Sequence, residues 1–317
     1  MENEKELFDL IIVGGGPAGA SAAVYAARKR LKTALVLKEW GGQSIVSDDI
    51  QNWIGTPHIS GMDLAKNLEK HVKEYAEDFV EIKTGNLVTT SEVMKENDIE
   101  KIKITLENGE EIFGKSLLIT TGSNRRQLEA INAKEFEHKG LTYCASCDGP
   151  MFAGQDVIVI GGGNAGFESA AQLLAYCKSV TLLSRSNPRA ENITIEKLKT
   201  DPKFRLISNM TIKEVHGDKF VSGLTYVEKE SGKEIKLDTA GIFVEIGQIP
   251  ATYWVENLVD LDEEKRVKID PWTNRASERH LIWAAGDCTN ILYNQNNIAS
   301  GEAIKALEDI YKTLKTK

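Results

Sequence analysis

A chain of 317 residues with 39 Lys or Arg against 47 Asp or Glu has a net charge of −8, which argues against nucleic acid or an anionic membrane as partner, since both select basic surfaces. At roughly 150 residues per domain the length suits two domains, each able to bury its own core. With 41% hydrophobic and 27% charged residues the composition is that of a soluble globular protein, and four cysteines are too few for a secreted disulfide scaffold.

Leu10–Ala27 carries no charge over 18 residues. An export signal would need positive charge ahead of it, yet Glu2, Glu4, Glu6 and Asp9 outweigh Lys5. Three glycines and Pro17 also make it poor material for a spanning helix. It reads instead as strand, turn and helix, and a cytoplasmic protein is expected. Asp9–Val13 (DLIIV) is the apolar run of a strand buried on both faces of a parallel sheet. Gly14-Gly15-Gly16-Pro17-Ala18-Gly19 follows, then an alanine-rich helix Ala20–Arg28 and a second strand Thr33–Leu37. Val80–Phe113, with alternating runs such as Lys101–Leu106 before Asn108-Gly109, is expected to be a hairpin-bearing β excursion.

The same order returns at Asp156: DVIVI, then Gly161-Gly162-Gly163-Asn164-Ala165-Gly166, a helix to about Ala175 and a strand Ser179–Leu183. Asp9 and Asp156, like Gly14 and Gly161, are offset by 147 positions, so the two units repeat in register. In each GxGxxG the first glycine (Gly14, Gly161) allows the tight turn out of the strand. The second (Gly16, Gly163) lets backbone approach a pyrophosphate, and the third (Gly19, Gly166) lets helix pack on strand. Two such sites imply a flavin on one and a nicotinamide on the other. Ile212–Leu237, with Ser231-Gly232 as its turn, repeats the β excursion in the second unit. His280–Ala285 reads as a strand ending in Gly286-Asp287, whose carboxylate would meet ribityl and phosphate groups at the head of a helix Ala299–Tyr311. That element pairs with the first unit. The expected fold is therefore α/β, with two Rossmann-like dinucleotide-binding domains of three-layer ββα form, the second inserted into the first.

Between the repeats lie Cys144 and Cys147. Two cysteines at this spacing can close a disulfide, and a helix N-terminus favours the thiolate. Half a zinc site is the alternative, but four ligands are needed and no second CxxC or CxxH exists, so no metal is expected. Cys177, placed on a helix, and Cys288 read as small buried hydrophobes. His71, His138 and His216 have no paired ligands nearby and read as surface or packing residues.

The markers GGGPAG at 14–19, GGQ at 41–43, QNWIG at 51–55, TTGS at 120–123, CASCDGP at 144–150, GGGNAG at 161–166, GIFVEIGQIP at 241–250 and AAGDC at 284–288 span nearly the whole chain. With them the sequence resembles the low-molecular-weight thioredoxin reductases and the related flavoprotein part of alkyl hydroperoxide reductases. The resemblance implies an NAD(P)H-dependent disulfide reductase with an FAD-binding domain at 1–122 and 251–317. The NAD(P)H-binding domain, 123–250, would carry the cysteine pair. It implies that Gly14, Gly16, Pro17, Ala18 and Gly19 hold the FAD diphosphate, that Gly42, Gln43 and Asn52 lie near the isoalloxazine, and that Thr121, Gly122, Gly286, Asp287 and Gln295 complete the flavin site. Glu39 is the candidate acid for the adenosine ribose, with a solvated strand-end charge as the competing reading. Gly161, Gly163, Asn164, Ala165 and Gly166 would hold the nicotinamide dinucleotide.

By the same resemblance Cys147 faces the flavin and Cys144 attacks the substrate disulfide. Asp148 handles the thiol protons if burial lifts its carboxyl above the usual value of about 3.9; capping of the turn after Cys147 is its other reading. Family members rotate the nucleotide domain, here about linkers near Gly122–Arg126 and Ile249–Ala251, and are commonly homodimers.

The strand end after the second glycine box decides the nucleotide. A carboxylate there would bind the ribose hydroxyl of NAD, whereas arginine pairs with a 2′-phosphate. Ser184-Arg185-Ser186-Asn187-Pro188-Arg189 has no carboxylate and two arginines, although it lacks the fuller basic box of thioredoxin reductases. NADPH is expected, with Arg185 and Arg189 as phosphate ligands; if both are ordinary surface charges, NADH is used. Only eight residues precede the first strand, where hydroperoxide-reductase flavoproteins carry a thioredoxin-like module. Electrons are therefore expected to leave to a separate protein, either thioredoxin or a glutaredoxin-like carrier serving a peroxiredoxin. A flavoprotein using another donor such as ferredoxin is the reading from a different class.

Overall fold

The computed structural model describes residues 6–47, 49–96 and 99–315, so Glu2, Glu4 and Lys5 lie outside the described residues. The chain divides into two compact units, Met1–Asn124 with Ile249–Lys317, and Arg125–Gln248.

The first unit begins with β1 (Leu7–Val13), α1 (Pro17–Arg28), β2 (Thr33–Leu37), a 3₁₀ turn Gly42–Val46 and α2 (Gly61–Ala76). It continues through β3 (Val80–Thr84), β4 (Val88–Glu96), β5 (Ile99–Leu106) and β6 (Glu111–Ile119). Strands β3, β2, β1 and β6 lie side by side in parallel, with Ile12 level with Leu35 on one side and Leu118 on the other. The start of β6 pairs antiparallel with β5, and β5 with β4. The expected excursion therefore starts at β4, because Val80–Thr84 bonds in parallel to β2 as the sheet edge.

Helix α1 is nearly all small residues and exposes little beyond Tyr25 and Arg28. It closes with the Leu31 amide on the Ala26 carbonyl and the Arg30 amide on the Ala27 carbonyl, Arg30 taking the left-handed φ of 54° usually given to glycine. Fully buried Leu31 then anchors the turn.

The crossing strand β7 (Ser123–Arg125) leads into the second unit: β8 (Leu141–Thr142), a one-turn helix α3 (Ala145–Asp148), β9 (Asp156–Ile160), α4 (Asn164–Leu173), β10 (Ser179–Leu183), α5 (Asn192–Lys199) and β11 (Phe204–Ile207). There follow β12 (Met210–Gly217), β13 (Val221–Glu228), β14 (Glu234–Asp238) and β15 (Gly241–Val244). The parallel sheet runs β11-β10-β9-β15-β8, and β12-β13-β14 form a separate antiparallel sheet. The chain returns through β16 (Gln248–Pro250), which pairs with β7, to β17 (Ile282–Ala284) and α6 (Asn296–Lys315). β17 adds in parallel to the end of β6.

Strand alternation makes three layers in each unit. In the first, Leu10 and Ile12 pack with Ala-rich α1 and α6, while Ile11 and Val13 pack with Ile102, Ile104 and Trp254. In the second, Val157 and Val159 face Phe167, Leu173 and Leu198 of the helices; Ile158 and Ile160 face Ile212, Leu224 and Tyr226 of the antiparallel sheet. Each such buried side chain contributes about 1.5–3 kcal/mol over exposure. This is the expected pair of Rossmann-like layers. Helix α4 stops at Leu173, so Cys177 lies in the following turn rather than on the helix; Gly154, Lys178 and their partners Tyr176 and Gln155 take over its backbone bonding. Helix α6 starts three residues earlier than expected, where the Asn296 side chain accepts from Ser44 Oγ at 2.9 Å. No helix among the described residues is long and apolar enough to cross a membrane.

Candidate active site

In the first unit the chain leaves β1 in one direction to β2 and is flanked on the other side by β6, the switch point where open α/β sheets bind ligands. The Gly14 amide donates to Val36 O at 2.8 Å. A methyl at Gly14 would strike the Thr120 carbonyl, and one at Gly19 the Gly14 carbonyl, so the strand, loop and helix meet too closely for any side chain. Gly16 differs: its nearest neighbour would be the Gly42 Cα, 4.0 Å away. It is the N-cap of α1, no side chain caps it, and the first turn holds no acid. Uncapped amides at a positive helix end, with open backbone beside them, fit the diphosphate of a dinucleotide such as a flavin cofactor.

Several of the expected flavin residues converge on this loop. Gly286, at φ 79°, places its added methyl 3.6 Å from the Ala18 Cβ, so Asp287 follows directly beside the head of α1. The Gly286 amide donates to Glu302 Oε2 at 3.0 Å. Burial raises the Glu302 carboxyl's pKa, while the Gly286 amide and Lys305 oppose the rise. Thr121 Oγ1 donates to Ala251 O at 2.8 Å, and Gly122 takes φ 64°. Asn52 Nδ2 donates to Gln295 Oε1 at 2.9 Å, and Asn297 Nδ2 to Asn52 O at 2.7 Å, joining two segments far apart in sequence. Gln43 lies exposed in the 3₁₀ turn. Glu39 lies just past β2 with its backbone against Gly15 and its side chain exposed. Cys288 is fully buried under this region, and burial pushes its thiol up to about 12.

The second unit repeats the device. The Gly161 amide donates to Leu183 O at 3.0 Å; a methyl at Gly161 would strike the Glu245 carbonyl, and one at Gly166 the Gly161 carbonyl. Gly163, the N-cap of α4, has nothing within 4 Å of an added methyl and no capping side chain. The segment carrying the two arginines folds onto this loop: the Arg189 amide donates to Gly162 O at 2.7 Å, and the Glu191 amide to Asn164 Oδ1 at 3.0 Å. Buried Ser184 turns its hydroxyl to Ser186 O at 2.7 Å, while Arg185 is exposed and Arg189 exposed enough to meet a ligand.

Cys144 and Cys147 form a disulfide in this unit, both half-buried. β8, paired with β15, delivers the chain to the one-turn helix that holds them. The Cys147 amide donates to Cys144 Sγ at 3.2 Å, and Ser146 Oγ to Gln172 Oε1 of α4 at 3.0 Å. Thr142 Oγ1 donates to the half-buried Asp148 carboxylate. Cys177 and Cys288 are buried thiols.

Two features have little signal in the sequence. Glu302 holds the Gly286 turn, and Glu245 sits at the end of β15, where Ser169 Oγ of α4 donates to its Oε1 at 2.6 Å. Burial pushes the Glu245 carboxyl up to about 7 despite the Ser169 bond and the nearby Arg125. The only signal for it was a carboxylate interrupting the apolar run GIFVEIG.

A repeated dinucleotide-type fold beside a vicinal disulfide defines a disulfide-oxidoreductase scaffold. Residues 8–304 match the pyridine nucleotide-disulphide oxidoreductase family, and the chain belongs to it. It is similar to an NADH dehydrogenase of Bacillus subtilis (strain 168), 38% identical over 304 residues, which cover 96% of this chain and 58% of that protein. It is also 37% identical over 306 residues to an alkyl hydroperoxide reductase component of Escherichia coli (strain K12), covering 96% of this chain and 58% of the relative. The chain thus spans under three-fifths of the length of these relatives. Among solved structures, thioredoxin reductase from Streptococcus pyogenes MGAS5005 aligns with TM-score 0.88 and 30% identity over 98% of this chain and 99% of that one. Thioredoxin reductase from Giardia duodenalis aligns with TM-score 0.90 and 27% identity over 99% and 100%.

Proposed function

We propose that the protein is a thioredoxin-disulfide reductase: NADPH, a proton and the carrier's disulfide become NADP⁺ and the carrier's dithiol. The Cys144–Cys147 disulfide, housed in the unit with the second glycine loop, is the observation that carries this reading. The first loop, with Glu39, Gln43, Asn52, Asp287 and Gln295, binds FAD; the second, with Arg185 and Arg189, binds NADPH. When bound, FAD supplies the two-electron relay between the nicotinamide and the disulfide. Cys147 receives the electrons. Cys144, freed as thiolate, attacks the carrier disulfide to give a mixed disulfide; Cys147 then displaces the carrier and restores the Cys144–Cys147 bond. Asp148, held by Thr142, exchanges protons with these sulfurs. Rotation of 123–250 about the two crossings, a homodimeric assembly and a cytoplasmic location belong to the same proposal.

A second reading has specific support. Two relatives carry the name NADH dehydrogenase, and Ser184 and Ser186 stand where a fuller basic set would favour NADPH, so NADH with a glutaredoxin-like or peroxiredoxin-coupled carrier is the competitor. Purified protein should be yellow, lose its colour with NADPH under anaerobic conditions, and reduce thioredoxin only with both cysteines intact. Comparing kcat/KM for NADPH and NADH, with thioredoxin and glutaredoxin as acceptors, separates the two; a strong NADH preference overturns the NADPH assignment.

A further inference from the structure

Glu245 is a half-buried carboxyl that follows directly on the apolar run of β15. Along β15, Ile242 and Val244 point into the antiparallel-sheet core and Phe243 into the helical core. The Glu245 amide continues the ladder by donating to Ile160 O at 2.8 Å. The alternation therefore turns the Glu245 side chain to the helical face, where Ser169 Oγ meets it at 2.6 Å. A methyl on Gly161, the first glycine of the second loop, would come within 3.2 Å of the Glu245 Cβ. The groups acting on the carboxyl are few. Glu168 on α4 repels its charge, and Arg125 on β7 attracts it. Arg125 itself lies over the ring of Tyr143, the residue following β8, at 5.7 Å. The Tyr143 hydroxyl is committed to Glu137 at 2.6 Å.

We propose that Glu245 is the proton-linked residue of the nucleotide site, taking up a proton when the diphosphate of NADPH or NADH settles on the Gly161–Gly166 loop. This rests on the dinucleotide reading of that loop and adds to it. A carboxylate beside Gly161 opposes the two negative charges of a diphosphate, whereas the neutral acid does not. Burial already brings this carboxyl to about 7 in the free protein, so the added charges shift it further up. By linkage, binding above neutrality draws in a proton, and affinity falls as pH rises, by up to about tenfold per pH unit, until the bound form also ionises. Below about pH 6 both states are protonated and the effect vanishes.

The test is isothermal titration of the flavin-loaded protein with NADP⁺ and NAD⁺ at pH 6, 7.5 and 8.5, in buffers of different ionisation enthalpy. Using NAD⁺ as well removes any contribution of the 2′-phosphate. Wild type is expected to take up a fraction of a proton at pH 7.5 and none at pH 6. Glu245→Gln, which keeps an acceptor for Ser169, should show no uptake and a flat affinity. Ser169→Ala removes a bond that favours the ionised carboxyl, so it should move the wild-type pH profile upward rather than abolish it. Binding without proton uptake, with wild type and Glu245→Gln sharing one pH profile, overturns the inference and leaves the dinucleotide site standing. Failure of wild type to bind either nucleotide at any pH overturns the site and the inference together.

Discussion

The backbone amide of Arg189 donates to the carbonyl of Gly162 at 2.7 Å. Through this bond and that of Glu191 to Asn164, the segment after β10 is laid against the glycine loop. The two arginine side chains are thus free of the positioning task. Arg185→Ala and Arg189→Ala should each raise KM for NADPH about tenfold, the worth of one charge-assisted bond, and leave KM for NADH unchanged. Steady-state kinetics with both nucleotides checks this, and equal effects on the two would remove the arginines from phosphate recognition.

The open space beside Gly163 separates binding from folding. Gly163→Ala adds a methyl that meets nothing within 4 Å, so stability should change by no more than about 0.5 kcal/mol. Nucleotide affinity should nonetheless fall on the order of tenfold, because the methyl occupies ligand space. Gly161→Ala, which collides with the Glu245 carbonyl, should lower Tm as well. Thermal melts beside nucleotide titrations distinguish these variants.

Cys144→Ser and Cys147→Ser should each abolish disulfide reduction while sparing reduction of a small artificial electron acceptor by NADPH. Asp148→Asn should lower the thioredoxin-reducing rate by about 10²–10⁴, the usual worth of a placed acid/base group. An unchanged rate would leave Asp148 a structural role as acceptor of the Thr142 hydroxyl; the capping role the sequence also offers has no support, because its side chain makes no cap bond to the turn that follows.

Glu245 also sets a pH dependence of stability. Its folded carboxyl is raised to about 7 from the ordinary 4.5, so the folded state holds the proton longer than the unfolded chain. Stability from this group is full below the unfolded value and is lost as pH climbs to about 7. Glu245→Gln should therefore be more stable than wild type at pH 8, by up to about 3 kcal/mol, and comparable at pH 4.5. Denaturant titrations at the two pH values measure the difference.

The layers were legible because their signals are local. DLIIV and DVIVI are short apolar runs closed by glycines, and Gly14, Gly19, Gly161 and Gly166 stand where any Cβ would strike backbone. The cysteine pair was legible from its spacing. What the sequence hid depends on distant pairings. Val80–Thr84 alternates like a hairpin strand, yet it joins β2 in parallel because Val80 and Ile82 pack against the helical layer. Leu174 and Ala175 favour helix, so the sequence extends α4 to about Ala175, whereas α4 ends at Leu173 and the turn is fixed by Gly154 and Gln155 from before β9. Glu302 lies on a helix face that looks merely polar until the Gly286 amide is found against it. Asn52 and Gln295 are separated by 243 positions, and their contact has no local sequence signal.

Cys177 and Cys288 have a practical consequence. Both thiols are sealed in the interior, and burial holds each thiol's pKa above its ordinary value, so neither competes for an alkylating reagent while the chain is folded. Mass labelling of intact protein should then count zero sulfurs when the vicinal pair is oxidised and two when it is reduced, reaching all four only after denaturation. The molecule carries its own internal standard, and its oxidation state in a cell extract can be tallied without purifying any partner.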